Sequence, residues 1–200
     1  MKKRVIRTIS VFLVLMGIGS GAFAAVQINE MNAGSHLKYL PGPARFYLSK
    51  TAPKKVLVQG DLIGTLTIAA LQATMPIYQG TDDNSLKKGV GHFIGSALPG
   101  LQDNALYQNN VVLSGHRDSI FQHIGSLKLG ELLVVNTASG SFTYKIAKFR
   151  IVGANDRTVI VPTPTAVLTL TTCYPFIFFG NAPKRFIVSA DLVSSFSAPT

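Results

Sequence analysis

With 200 residues, 47% of them hydrophobic and a mean hydropathy of +0.31, the chain is long and apolar enough for one domain with a full core, which excludes a wholly disordered polymer. Its net charge of +10 includes Lys2, Lys3, Arg4 and Arg7 at the extreme N-terminus. Elsewhere the basic residues fall in pairs such as Lys54-Lys55 and Lys87-Lys88 rather than in a stripe, which argues against a nucleic-acid partner and for attraction to an anionic membrane or wall surface.

Residues 1–26 place a basic start before an apolar run from about Ile9 to Val26, the pattern of an export signal. Ala22-Phe23-Ala24 fits a cleavage site after Ala24. The run also reaches the lower limit for spanning a bilayer, so an uncleaved anchor with its positive end in the cytoplasm is the other outcome. Either way, the remainder is expected to work outside the cytoplasm, at the outer face of the cell membrane or as a periplasmic or secreted protein. Residues 27–59 are polar and carry Pro and Lys, as a linker does.

From Asp61 onward, short apolar runs alternate with turn signals. Residues 62–71 (LIGTLTIAAL) and 75–80 (MPIYQG) read as strands. Residues 81–89 read as one capped helical turn, with Thr81 or Asp82 as cap and Gly89 as stop. Residues 110–115 (NVVLSG) are a strand. In 118–127 the apolar residues at 120, 121, 124 and 127 have helical spacing behind a cap at Asp118 or Ser119. Strands over 131–137 and 141–152 flank the hairpin signal Ala138-Ser139-Gly140. Strands over 166–173 and 185–192 are joined by an aromatic loop, YPFIFFGNAPK. Seven or eight strands with only short helices predict a mostly antiparallel all-β domain, closed as a barrel or folded as a sandwich.

One cysteine excludes an internal disulfide and the multi-cysteine zinc sites. Cys173 is therefore a small buried hydrophobe or a working thiol. It ends a strand beside a long loop, where a rigid element aims a side chain at an open rim. His116 ends another strand just after Gly115, which permits close backbone approach. A histidine there is placed to carry a proton near neutral pH. His36, His92 and His123 compete with it: His36 lies in the linker, His92 in a Gly-rich turn, and His123 on the expected helix. Arg185 opens the strand that follows the aromatic loop. If the two strands pair as a hairpin, it sits near Cys173 as a permanently charged clamp. No HExxH, phosphate loop or GxSxG occurs.

Together these segments resemble the sortase family. The family pattern TLxTC stands here as Thr169-Leu170-Thr171-Thr172-Cys173, its histidine segment as Ser114-Gly115-His116-Arg117-Asp118, and its arginine as Arg185. The string Thr172-Cys173-Tyr174-Pro175-Phe176, followed by Gly180-Asn181-Ala182-Pro183-Lys184-Arg185-Phe186-Ile187-Val188, is similar to class D sortases. Ile63–Ile68, Pro76–Gly80, Gly89–Phe93 and Ser96–Gly100 also fit.

The resemblance implies a closed eight-stranded β-barrel with short helices and 3-10 turns over residues 60–192, followed by a tail, 193–200. It implies cleavage of an LPxTG-like sorting motif in secreted proteins by the Cys173 thiolate, through a thioacyl-enzyme that an amine acceptor resolves. His116 would move the protons, and Arg185 would hold substrate or stabilise the oxyanion. Thr172 and Tyr174 would belong to the oxyanion and substrate-binding surface, with the aromatic loop as either groove wall or core. No cofactor or metal is expected. The competing readings are an exported cysteine hydrolase of cell-wall peptides and a non-enzymatic anchored β-barrel binding module in which Cys173 is buried and inert.

Overall fold

A computed structural model describes residues 57–99, 109–178 and 180–198 of the chain. The expected export segment 1–26 and linker residues 27–56 lie outside them. Eight strands close into a barrel: β1 (Leu62–Ile68), β2 (Ala73–Gln79), β3 (Val90–His92), β4 (Asn110–Ser114), β5 (Leu132–Thr137), β6 (Gly140–Gly153), β7 (Val167–Tyr174) and β8 (Lys184–Ser197). Around the barrel their order is β1-β2-β3-β4-β7-β8-β6-β5. Closure gives every strand a neighbour on each side.

Alternation decides what faces inward. Leu66 and Ile68 of β1, Val111 and Leu113 of β4, Leu133 and Val135 of β5, and Leu168 and Leu170 of β7 all enter one buried core. Each such side chain contributes about 1.5–3 kcal/mol on burial.

Four sequence expectations change in detail. The first strand stops at Ile68, where Ala69–Leu71 form a 3-10 turn that ends in left-handed Gln72 (φ 51°). His92 is not in a turn. It lies on the three-residue strand β3, 2% exposed, with Nδ1 2.8 Å from Gln79 Oε1 and Nε2 2.9 Å from Ser96 Oγ. Ser96 is itself buried and accepts a hydrogen bond from the Val112 amide, so this Ser–His–Gln set is closed to substrate and structural.

The helix expected over 118–127 is instead a run of turns with a 3-10 segment at Ile124–Ser126. The amides of Gln122, Ile124, Ser126 and Leu127 each bond to the carbonyl three residues back. Phe121, Ile124 and Leu127 are buried at a spacing of three, a period that suits a 3-10 winding as well as an α-helix. Finally, β8 does not stop at Leu192. It continues to Ser197, pairing Phe196 with Ser141.

The helical turn is as expected: α1 (Asp83–Lys88) is capped by Asp82, whose carboxylate accepts from the amides of Asn84 and Ser85 and from the Ser85 hydroxyl. The Ser85 hydroxyl bond is the main cause of an Asp82 carboxyl held below its ordinary value.

Candidate active site

The sheet is not antiparallel throughout, since β2–β3 and β4–β7 are parallel pairs. The second of these makes the site. In β4–β7, Ser114 lies opposite Thr171, and continuing that register two residues brings His116 level with Cys173. Two hydrogen bonds hold the continuation: the Gly115 amide donates to Thr171 O at 3.2 Å, and Thr172 Oγ1 donates to Gly115 O at 2.7 Å. On the other side of β7, Cys173 pairs directly with Arg185 of β8, and Arg185 pairs with Val152 of β6. The thiol, the imidazole and the guanidinium thus stand at one level on three neighbouring strands.

Their side chains share the outer face of the barrel. Leu168, Leu170 and Thr172 alternate inward, so Cys173 turns outward. A groove of about 380 Å³ opens there, lined by His116, Cys173 and Arg185. Its floor is completed by Ser114, Thr171 and Ile187, one end by Thr81, Leu86 and Phe93, and the opposite wall by Ala154, Asp156, Val159 and Ile160. Cys173 is half-buried, so it is neither an inert core cysteine nor a surface thiol. Neither Cys173 nor His116 makes a side-chain hydrogen bond among the described residues. His116 is set by its main chain instead: its carbonyl accepts from the Phe121 amide at 2.9 Å.

Gly115 is required by crowding, because a Cβ there would lie 2.5 Å from Phe121 Cδ2 and 2.6 Å from Ile120 Cγ2. Arg185 folds one arm back on its own strand start, with Nη1 donating to Lys184 O at 2.9 Å and Ala182 O at 3.1 Å. Its other guanidinium nitrogens have no protein partner among the described residues. The Thr158 hydroxyl and amide, with Arg150 3.9 Å away, hold the carboxyl of Asp156, in the wall, below its ordinary value.

The two residues expected on the oxyanion and substrate-binding surface are placed differently from each other. Thr172 lines the groove, but its side chain is only 3% exposed and its hydroxyl is committed to Gly115 O, so any contact with substrate must come from its main chain. The Tyr174 ring faces away from Cys173, as strand alternation requires. It lies edge-on to Phe176 at 5.4 Å and stacks with Phe186 at 6.4 Å, against the core. The aromatic loop divides accordingly: Tyr174 and Phe176 are partly buried against the core, whereas Ile177 is 92% exposed. Arg117 holds the loop, with Nη2 donating to Phe178 O at 2.7 Å and the guanidinium lying over the Phe178 ring. His123 is exposed on the 3-10 turn and does not line the groove, while His36 lies outside the described residues.

Sequence reasoning passed over the wall formed by 154–160 and Asn110, whose amide bonds to the carbonyls of Val159 and Val161. The signal available was a turn-rich stretch after Gly153 that precedes two prolines, Pro162 and Pro164.

Residues 66–193 match the sortase domain family. Among individual relatives, sortase D of Bacillus subtilis (strain 168) is 43% identical over 136 residues, which cover 68% of this chain and 66% of that protein. Sortase A of Streptococcus agalactiae serotype III (strain NEM316) is 30% identical over 134 residues, covering 66% of this chain and 53% of the relative. The chain therefore spans just under two thirds of the first relative and about half of the second. Among solved structures, Clostridium perfringens sortase C with the C-terminal cell wall sorting motif superimposes with a TM-score of 0.60 at 28% identity, covering 69% of this chain and 74% of that one. With more than half its length matched in one continuous span, and with a closed eight-stranded barrel, the chain belongs to the sortase family.

Proposed function

We propose that this sortase cleaves an LPxTG-like sorting motif near the C-terminus of secreted proteins and transfers the acyl portion to an amine at the cell surface. The observation that carries this reading is the row His116–Cys173–Arg185 across β4, β7 and β8, opening into one groove. The Cys173 thiolate attacks the threonine carbonyl, forming a thioester as the C–N bond to glycine breaks. His116 gives its proton to the leaving amine and takes one from the incoming amine. No carboxylate bonds to His116 among the described residues, so orientation rests on the main chain on either side of the ring rather than on a third side chain.

Arg185 pairs with Cys173 across β7 and β8, and its unpartnered nitrogens suit a substrate carbonyl or the oxyanion. An oxyanion donor of this kind is typically worth about 10²–10³ in rate. Val152, Val159, Ile160 and Ile187 supply apolar surface for the leucine and proline of the motif. Residues 1–26 serve as the export signal or single-pass anchor that puts the domain on the extracytoplasmic face. Expression of a C-terminally tagged full-length chain followed by membrane fractionation tests that part, and recovery in the cytosol alone would refute it.

The activity is tested with a fluorogenic LPxTG-type peptide, with and without an amine acceptor. Mass spectrometry should detect an acyl adduct on Cys173, and product should shift from acid to amide as the amine is added. Cleavage that survives Cys173→Ala would overturn the mechanism. Hydrolysis that no amine diverts would replace transpeptidation with peptidase activity.

A further inference from the structure

Asn110 stands at the start of β4, at the opposite end of the strand from the His116 segment and on the same outer face. It is 1% exposed, and all of its side-chain bonds are internal. Nδ2 donates to Val161 O at 2.9 Å and to Val159 O at 3.2 Å, the carbonyls on either side of Ile160. Oδ1 accepts from Thr169 Oγ1 at 2.8 Å, and Thr169 is a buried residue of β7. A threonine hydroxyl on one edge and two carbonyls on the other allow only one orientation of the amide, because a flipped amide would set its oxygen against two acceptors.

Val159 and Ile160 form part of the groove wall, while Thr171 and Cys173 continue the face on which Thr169 stands. The amide of Asn110 thus ties the wall to the strand pair that carries the nucleophile. The segment 154–166 has no regular structure and is tied by single bonds, from Ala154 N to Pro183 O, from Arg150 Nη2 to Thr158 Oγ1 and from Asn109 Nδ2 to Thr163 O; among the described residues, Asn110 makes the side-chain bonds at 159–161.

We propose that Asn110 is a positioning residue for substrate selection: by holding 159–161 against the β4–β7 floor, it fixes the width of the groove that receives the apolar side chain of the sorting peptide. This rests on the sortase activity proposed above. It predicts a dependence of KM and side-chain preference on a residue that touches neither substrate nor nucleophile.

The test compares Asn110→Asp with Thr169→Val in the full chain. The first variant keeps the acceptor for Thr169 but replaces the two donors with a group that repels both carbonyls. The second removes the hydroxyl bond and leaves both donors in place. Peptides with leucine or alanine at the apolar position are turned over by each protein, and Cys173 alkylation by iodoacetamide, a reagent too small to need the wall, is timed alongside. For Asn110→Asp, KM for the leucine peptide should rise about tenfold and the leucine-over-alanine preference should fall at least threefold. Its kcat and alkylation rate should stay within about twofold of wild type. Thr169→Val should lower the melting temperature and leave KM and preference within about twofold.

Unchanged KM and preference in Asn110→Asp would overturn the proposal. So would an equal rise in KM in both variants, which would mark general destabilisation. A wild-type protein that is alkylated at Cys173 yet turns over neither peptide would instead sink the sortase reading, and this inference with it.

Discussion

Thr172→Val removes one hydroxyl and almost nothing else, so its effect can be worked from the structure. The hydroxyl donates at 2.7 Å to Gly115 O, in a position where both residues are buried. Valine fills the same volume, so no cavity forms, but the Gly115 carbonyl loses its bonded side-chain partner. An unsatisfied buried acceptor costs about 1–3 kcal/mol. At about 4 °C per kcal/mol, where the ranges for small and mid-sized domains meet, the melting temperature should fall by about 4–12 °C. Activity should suffer more than stability, because Gly115 immediately precedes His116. A misplacement of about 1 Å at a proton-transfer group costs on the order of 10²-fold, so kcat/KM on a sorting peptide should fall 10- to 100-fold at a temperature where the variant is fully folded. Thr172→Ser keeps the hydroxyl and loses only a methyl, and should retain most of the activity. Differential scanning calorimetry and steady-state kinetics on the three proteins decide the matter. If Thr172→Val melts and turns over like wild type, the bond does not hold the histidine segment, and the main-chain bond from the Gly115 amide alone suffices.

Gly115→Ala should cost about 1–3 kcal/mol by overpacking against Phe121 and Ile120, with loss of turnover, and Phe121→Leu in the same chain should restore part of both; thermal melts and peptide kinetics check it. Arg117→Ala releases the Phe178 and Gly180 carbonyls from their donor, so chymotrypsin should cut the 174–180 loop several-fold faster while the melting temperature barely moves. Asp82, held below its ordinary value of 3.8 by the Ser85 hydroxyl, contributes stability above that value and loses it as pH falls through the lower folded-state value. Asp82→Asn keeps the cap but not the charge, so the melting-temperature gap between wild type and variant should shrink from about pH 7 to about pH 2; a gap that widens on acidification would refute the sign.

The parts of this site that were legible in the sequence are those encoded by neighbours along the chain. Cys173 and His116 each end an apolar run beside a turn, and the TLTTC and SGHRD strings are short enough to be recognised whole. Arg185 followed once the strands before and after the aromatic loop were read as a hairpin, because an antiparallel pair with a known loop fixes who stands opposite whom. What no local pattern carries is the parallel pairing of β4 with β7, whose partners are more than fifty residues apart in sequence. Alternation marks which face of each strand is apolar, but it is silent on which strand lies alongside, and the level of His116 against Cys173 depends on that choice alone.

The same limit bears on two further residues. Tyr174 adjoins the nucleophile in sequence, and a period of two sends it to the opposite face. Asn110 has the opposite history. It is remote from Cys173 in sequence and reads only as the first residue of the expected strand 110–115. Its value arises only when a buried amide meets two carbonyls of a segment fifty residues onward. A buried side chain with every donor and acceptor matched specifies one arrangement of its neighbours, since any other leaves a polar group unpaired at a cost of about 1–3 kcal/mol. The reacting residues are thus set by strand register, whereas the groove wall at 159–161 is tied to the barrel by one amide that no motif contains.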